Sequence, residues 1–308
     1  HLSIRRQRQM CIRDRADRVE YLPLYILVSI SISYKLLRLY FEWYHFFALK
    51  DTKPKVQIGK DWKVDVLTTA VPGEPIKMIE ESLTAMVNMR YPHTTYLCDE
   101  GDDPQLKEIC ARLGVVHVTR DIKVNAKAGN INNALRSATG EITVILDPDH
   151  VPDPGFLDSV LPYFDDPGIG YVQAVQMYSN AQQSWISEGA AQQTYMFYGP
   201  LMQAMSYYGT AQAIGANCAF RRIALDSIGG HAPGLTEDMH TSMLLHAKGW
   251  KSVYVPHANT KGLVPDNTNA YFKQQLKWSR GAFELYFKVL PKIFMQLSWR
   301  QKLHYALL

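Results

Sequence analysis

Residues 142–151 read ITVILDPDHV. An apolar run suited to a buried strand, 142–146, passes directly into Asp147, Pro148, Asp149 and His150. Aspartate and proline are common turn residues, so a surface turn would account for the acids. A metal site would account for them too: carboxylates at the carboxyl end of an α/β strand suit Mg²⁺ or Mn²⁺ bound together with substrate phosphates. The segment alone leaves both readings open.

The surrounding chain alternates strand and helix from about residue 61. VDVLTTAV (64–71) reads as a strand, after which Pro75 is expected at a first helical position and Ile76, Ile79, Leu83, Met86 and Val87 recur at helical spacing. TTYLCDEG (94–101) is a second strand ending in acids, and Pro104 opens a helix that Gly114 closes. VVHVTRD (115–121) is a third strand, followed by the helical KAGNINNALRSATG (127–140). ITVILD is the fourth, followed by the amphipathic PGFLDSVLPYF (154–164). This order predicts a mostly parallel sheet with helices on both faces, whose ligands bind at the strands' carboxyl ends. Two acid clusters, 99–100 and 147–149, fall at such ends, which favours the metal reading over the turn. Farther on, 182–208 reads as helix interrupted at Gly199-Pro200. AQAIGANCAFRR (211–222) reads as a strand in which Gly215 and Asn217 mark close approach of a ligand.

Composition narrows the class. A chain of 308 residues, 47% hydrophobic and 20% charged, is ample for one large core or for one domain with membrane-associated ends. A net charge of +4 without a dense basic run interleaved with aromatics argues against nucleic acid as a partner. The four cysteines, Cys11, Cys98, Cys110 and Cys218, form no C-x-x-C pair, so reduced and mostly buried thiols are expected rather than zinc or disulfides. The bulk of the chain is therefore placed in the cytoplasm.

Residues 1–16 show no helical or strand period and are expected to be a non-native terminus. YLPLYILVSISISY (21–34) is uncharged but shorter than the roughly 20 apolar residues that span a bilayer. Lys35 and Arg38 can snorkel, and Tyr40, Phe41, Trp43, Tyr44 and Phe46 resemble an interfacial aromatic belt. A transmembrane or interfacial helix is expected over 17–47, a linker over 48–60, and a second interfacial helix leading into a truncated membrane region over 291–308.

Three stretches carry chemistry. DPDHV also fits the D-x-D-x-V pattern of haloacid-dehalogenase-type phosphatases, but their acidic pair follows the motif, whereas Gly101-Asp102-Asp103 precedes it here. In LTEDMHTSMLLHAKGW (235–250), Met239, Met243, Leu244 and Ala247 give a helical face, so Glu237 and Asp238 sit at a helix start. Acids there complement the helix dipole, and the same position keeps a carboxylate ionised, as a general base must be. In YFKQQLKWSRG (271–281), Gln274, Lys277 and Trp278 share one helical face. An amide, a cation and an indole on one face suit a sugar and a pyrophosphate, although a surface helix with one packed Trp would look the same.

Together these motifs resemble the processive family-2 glycosyltransferases, most closely bacterial cellulose synthase catalytic subunits, over nearly all of residues 61–290. The family's first acidic motif is similar to Asp99-Glu100-Gly101, its DxD to Asp147-Pro148-Asp149, its TED to Thr236-Glu237-Asp238, and its QxxRW to 274–278. NAKAGNINNAL (125–135), MFYG (196–199) and HAKGWKSVYV (246–255) also look similar. Glu100 and Lys277 depart from the family's Asp and Arg; Lys keeps the charge but loses the bidentate fork.

The resemblance implies a GT-A domain over 61–290: α/β, with a Rossmann-like mixed sheet and flanking membrane or interfacial helices. It further implies an inverting transfer from a UDP-sugar, UDP-glucose foremost, to a growing β-linked polysaccharide. Thr69, Glu74 and Asp99 would hold the uridine, Asp147 would serve the nucleotide, Lys127 would lie near the diphosphate, and Glu100 would contact substrate. Asp147 and Asp149 would hold Mg²⁺ or Mn²⁺. Glu237 and Asp238 would be the catalytic pair, with Asp238 the base, and Gln274, Lys277 and Trp278 would grip substrate. The implied setting is the inner membrane with a cytoplasmic catalytic domain and accessory synthase subunits. A non-processive transferase acting on a lipid-linked acceptor, or a non-catalytic glycan- or nucleotide-binding relative, is the alternative.

Overall fold

The structure, a computed structural model, describes residues 21–50, 53–54, 59–257 and 260–307. The expected non-native terminus at 1–16, Cys11, the first residues of the 17–47 segment and parts of the 48–60 linker lie outside the described residues. The chain divides into two units, residues 1–47 and 48–308. In the first, helix α1 (Leu22–Phe46) has Pro23 in its first turn, where the missing N–H costs nothing. It is the one helix among the described residues long and apolar enough, by length and composition, to cross a membrane.

Among the described residues the second unit holds ten strands: β1 (Val64–Ala70), β2 (Thr94–Asp99), β3 (Val116–Val118), β4 (Ile142–Ile145), β5 (Val151–Pro152), β6 (Ile169–Ala174), β7 (Met177–Tyr178), β8 (Cys218–Arg221), β9 (Lys251–Val255) and β10 (Thr260–Gly262). Seven form one sheet in the order β3-β2-β1-β4-β8-β6-β9, and β5-β10-β7 form a small second sheet. The half from β3 to β4 is parallel. The sheet as a whole is mixed, because β8 runs antiparallel to both β4 and β6. That reversal pairs Ile145 with Cys218, so the residues before β8 meet the DPD acids after β4.

Eleven further helices follow among the described residues: α2 (Ile76–Val87), α3 (Pro104–Leu113), α4 (Ala126–Ala134), α5 (Phe156–Val160), α6 (Trp185–Met196), α7 (Met202–Tyr208), α8 (Arg222–Asp226), α9 (Glu237–Ala247), α10 (Thr268–Glu284), α11 (Leu290–Ile293) and α12 (Trp299–Leu307). One sheet face packs Val66, Leu97 and Val144 against Leu83, Ile109 and Phe156 from α2, α3 and α5. The other packs Leu67, Ile145 and Phe220 against Ile131, Leu225 and Leu245 from α4, α8 and α9. The alternation along β1 and β4 feeds both cores, which is why these central strands are buried throughout. Helix α3 is set by local chemistry: Asp103 accepts the Gln105 N–H at 2.8 Å, and Gly114 closes it at φ 71°.

The local reading differs from the structure at several places, among them the third strand, which covers only Val116–Val118 of 115–121, and the helix read over 127–140, which ends at Ala134. Pro75 is the extended residue before α2 rather than its first helical position. The stretch at Gly199-Pro200 does not break the helix; a π-helical turn over Phe197–Leu201 carries α6 into α7 and absorbs the proline. Of 211–222, only Cys218–Arg221 is a strand. The segment before it is held irregular by the buried Gln173 amide, which donates to the Ala216 carbonyl at 2.7 Å and accepts from Ile214 N–H at 2.9 Å.

At the far end, Ile293, Leu297 and Tyr305 pack with Met243 of α9. Tyr305 Oη lies 2.6 Å from His246 Nδ1, and His304 Nδ1 lies 2.7 Å from Thr210 Oγ1.

Arg221 fastens the back of the sheet. Its guanidinium donates to the carbonyls of Phe164, Asp166 and Ile169 at 2.6–3.0 Å and lies over both the Trp62 and Phe164 rings. Arg221→Leu strands three carbonyls in a buried place, each costing about 1–3 kcal/mol. Urea denaturation should show a loss of about 3 kcal/mol or more; under 1 kcal/mol would mean that the loop finds other partners.

Candidate active site

The DPD acids leave β4 at the parallel strands' carboxyl end. Asp149 Oδ2 accepts the Leu263 N–H at 3.2 Å, and Oδ1 lies 2.9 Å from His150 Nδ1. Burial works to raise the Asp149 pKa, but the His150 hydrogen bond and charge outweigh it and hold the carboxyl below its ordinary value. The buried Nε2 of His150 has no hydrogen-bond partner. Donor atoms of Asp147, Asp149 and His150 lie within 4.8 Å of one another. Two carboxylates and an imidazole with an orphaned nitrogen suit a divalent cation such as Mn²⁺ or Mg²⁺. The small sheet supports this corner: a Cβ on Gly262 of β10 would lie 2.4 Å from the His150 ring, so only glycine lets that strand lie against it.

Lys127 reaches the acids from α4. The turn before this helix takes two consecutive left-handed residues, Asn125 at φ 60° and Ala126 at φ 41°. Arg120 holds it by donating to the carbonyls of Val124 and Ala126 at 2.5 and 3.0 Å. Gly129 lies against Val124, where a Cβ would come within 1.9 Å of the carbonyl oxygen. Strain of this kind at an Ala persists only where surrounding contacts enforce it. Lys127 Nζ donates to Asp147 Oδ1 and to the Gly215 carbonyl (2.9 Å), and Glu237 Oε1 lies 3.7 Å away. Burial disfavours the ammonium, but the Asp147 and Glu237 charges prevail and hold its pKa above the ordinary value.

Glu237 and Asp238 open α9, where Thr236 makes no side-chain cap. Gly215, at φ 92°, lies against Asp238: an added Cβ would sit 3.1 Å from Oδ2. The close approach that Gly215 permits is thus that of the Asp238 carboxylate. The expectation that the helix start keeps Asp238 ionised is reversed in direction. Burial and the Glu237 charge raise its pKa to about 7, against smaller pulls from the Met239 N–H and Lys127. Asp238 as a residue is half-buried.

The uridine-side candidates occupy neighbouring strand ends. Thr69 is buried in β1, and Glu74 accepts the Val71 N–H at 2.9 Å just beyond it. Burial and, secondarily, the Asp149 and Asp147 charges raise the Glu74 pKa, so these carboxylates share one field. Asp99 accepts from Gly101 and Asp103 N–H groups at 2.8 and 2.7 Å and lies 3.0 Å from His117 Nε2. Glu100 takes the Arg120 Nε–H at 2.8 Å. The carboxylates of Asp99 and Glu100 are thereby engaged by their own loop and by β3 and its following turn.

Gln274, Lys277 and Trp278 lie on α10, which meets the TED loop where Gly281 faces Thr236; a Cβ there would lie 2.4 Å from the threonine methyl. Neighbouring Gln275 accepts from Gln193 of α6 at 3.0 Å. Trp278 is 37% exposed. Among the described residues no side-chain hydrogen bond joins Gln274, Lys277 or Trp278 to the acids. His150, His117, Arg120 and Gln173 were not singled out from residue order. His150 stands at a strand end that the acids already marked, which was the available signal; His117 and Arg120 come from β3 and the turn after it.

Residues 68–281 match the family described as Glycosyltransferase like family 2. Curated relatives include the UDP-forming cellulose synthase catalytic subunit of Xanthomonas axonopodis pv. citri, 28% identical over 221 residues, covering 69% of this chain and 30% of that protein. Cellulose synthase 2 of Novacetimonas hansenii is 27% identical over 254 residues, 80% of this chain and 16% of that one. The chain thus spans under a third of the length of these relatives. Among solved structures, the mannosyltransferase PcManGT of Pyrobaculum calidifontis, in complex with GDP-Man and Mn²⁺, superposes with a TM-score of 0.70 at 20% identity over 92% of this chain and 80% of its own. Glucosyl-3-phosphoglycerate synthase of Mycobacterium tuberculosis, with Mn²⁺, UDP and glucosyl-3-phosphoglycerate, gives 0.53 at 16% identity over 77% and 85%. They share a GT-A-like fold with this chain.

Calorimetric titration with Mn²⁺ in the presence of UDP checks the cation corner. Asp149→Asn should weaken binding about 10-fold or more, and Gly262→Val should do likewise by displacing His150. Unchanged Mn²⁺ affinity in both variants would place the cation elsewhere.

Proposed function

Because this chain belongs to glycosyltransferase family 2, we propose that it inverts and transfers a hexose, glucose foremost, from a UDP-sugar to a growing β-linked polysaccharide. Lys127 carries the reading. One ammonium links Asp147, on the side where a diphosphate would lie, to Glu237 beside Asp238, where an acceptor would be deprotonated.

In the transfer Asp238 takes the proton of the acceptor hydroxyl as its oxygen attacks the anomeric carbon. The bond from that carbon to the diphosphate oxygen breaks on the opposite face, and its electron pair leaves with UDP. Lys127 stands beside the departing charge. Mg²⁺ or Mn²⁺ held by Asp147, Asp149 and His150 would supply Lewis-acid stabilisation of the diphosphate. Glu74, Thr69, Asp99 and Glu100 frame the nucleotide side, and Gln274, Lys277 and Trp278 the substrate sugars.

A pKa of about 7 suits Asp238 for proton transfer at neutral pH. Its folded-state value is raised, so the folded chain keeps a proton that the unfolded chain releases. The stability contribution is therefore present at acid pH and is lost as pH rises from about 4 to about 7. Activity should run the other way, rising through the same upper limit as the base ionises.

The membrane setting and polymeric acceptor belong to the same proposal. Helix α1 would provide the anchor. Phe272, Leu276, Phe283 and Phe287 recur along one exposed side of α10 and its continuation, with Phe294, Met295 and Trp299 exposed beyond. Such a side fits a bilayer interface. Buried free thiols at Cys98, Cys110 and Cys218 fit a catalytic domain on the cytoplasmic side of the inner membrane. Accessory synthase subunits would complete the assembly.

UDP release and radiolabelled sugar transfer from UDP-glucose, followed across pH, provide the test. The rate should rise with an apparent pKa near 7. Asp238→Asn should lose about 10²–10⁴-fold in rate while UDP binding stays within a few-fold. Trp278→Ala should depress chain elongation more than donor hydrolysis, because water needs no stacking platform. A loss of UDP affinity in Asp238→Asn would make that residue a nucleotide ligand instead.

A further inference from the structure

Lys127, Glu237 and Asp238 line a cavity of about 10 Å³ whose other walls are mostly apolar, Ile131, Ile145 and Phe220 among them. That is about the room one water-sized group needs. His231 also lines it. Its main chain is clamped by Asn132, whose side chain accepts the His231 N–H and donates to the His231 carbonyl, both at 2.8 Å. The preceding Gly230, at φ 97°, permits the clamp: a Cβ there would lie 2.6 Å from Asn132 Oδ1. The imidazole packs edge-on against Phe220, with centroids 4.9 Å apart at 86°. Thus held, its Nε2 is buried without a hydrogen-bond partner. Buried polar groups are nearly always partnered, so a rigid ring with an orphaned nitrogen lining a one-group cavity beside the base marks a missing ligand atom. Burial and the Lys127 charge lower the His231 pKa to about 3, so the ring meets that ligand neutral.

We propose that this cavity receives one hydroxyl of the transferred sugar and that His231 Nε2 is its hydrogen-bond partner, which makes His231 a specificity-determining residue. The inference rests on the UDP-sugar reading above. It adds a selection rule. A cavity this small admits a hydroxyl but not a bulkier substituent at that sugar position, so the enzyme disfavours donors substituted there.

The experiment measures kcat/KM for UDP release with UDP-glucose and its 2-, 3-, 4- and 6-deoxy analogues, and calorimetric UDP affinity, for wild type, His231→Phe and His231→Gln. One deoxy donor should be about 10-fold or more poorer than UDP-glucose with wild type. His231→Phe, which keeps a ring against Phe220, should show the same loss with UDP-glucose and no added penalty with that analogue. His231→Gln should recover part of the rate, and UDP affinity should stay within about 2-fold throughout. Equal losses for every donor, or a parallel fall in UDP affinity, would show that the ring only packs and overturn the proposal. A wild type indifferent to all four deletions, beside an impaired His231→Phe, would assign the cavity to a water molecule and likewise overturn it. If His231→Phe does not fold, the wild-type series and His231→Gln still decide. No turnover by wild type with any UDP-sugar strikes the parent reading, whereas turnover without discrimination strikes this one alone.

Discussion

A single ammonium, that of Lys127, stands among carboxylates contributed by distant parts of the chain. It bonds Asp147, lies 3.7 Å from Glu237, and shares the field of Asp238. Without a cation there, three acids would face one another at low dielectric, and like charges so placed repel strongly. The strained turn at Asn125 and Ala126, the Arg120 clamp and the close packing at Gly129 all serve to hold this side chain where it is. Burial, helped by the same charge, keeps His231 neutral, and the ammonium holds the loop before β8 through the Gly215 carbonyl.

Sheet topology turns that local constraint into a site. Parallel strands β1, β2 and β4 deliver Thr69, Asp99 and the DPD acids to one edge. The antiparallel β8 starts where β4 ends, so Gly215 meets them from the opposite direction. Helix α9 then presents Glu237 and Asp238, and α10 is seated on its start through Gly281 and Thr236. Acid at the strand ends and acid at the helix start differ in protonation behaviour because their surroundings differ. His150 holds Asp149 ionised, whereas burial beside Glu237 lifts Asp238 toward neutrality. Two carboxylates pushed apart in this way can take different roles in one reaction.

Much of this was legible from residue order. Strands β1, β2 and β4 and helices α2, α3 and α9 follow from apolar periodicity and from Pro, Asp and Gly at their ends, which act within a few residues. The acids stood out because they interrupt that pattern. What was hidden depends on long-range contact. Nothing local in CAFR states that β8 runs against its neighbours, and the irregular path of 210–217 is dictated by Gln173, some forty residues earlier. The direction of the Asp238 shift is a sum over buried neighbours, invisible to a helix-dipole argument that considers only α9. His231 is likewise silent in sequence; its orphaned nitrogen matters only once Phe220, Asn132 and Lys127 surround it.

Asp238 is taken to drive one direct displacement across a site organised by Lys127, and every other role depends on that step. The anomeric configuration of the first-formed product reports on it most directly. With UDP-α-glucose as donor, proton NMR at early times should show a β-configured product, whether the acceptor is a glucan end or water. An α-configured product would require a second displacement or front-face attack, and it would contradict the roles assigned here to Asp238 and Lys127.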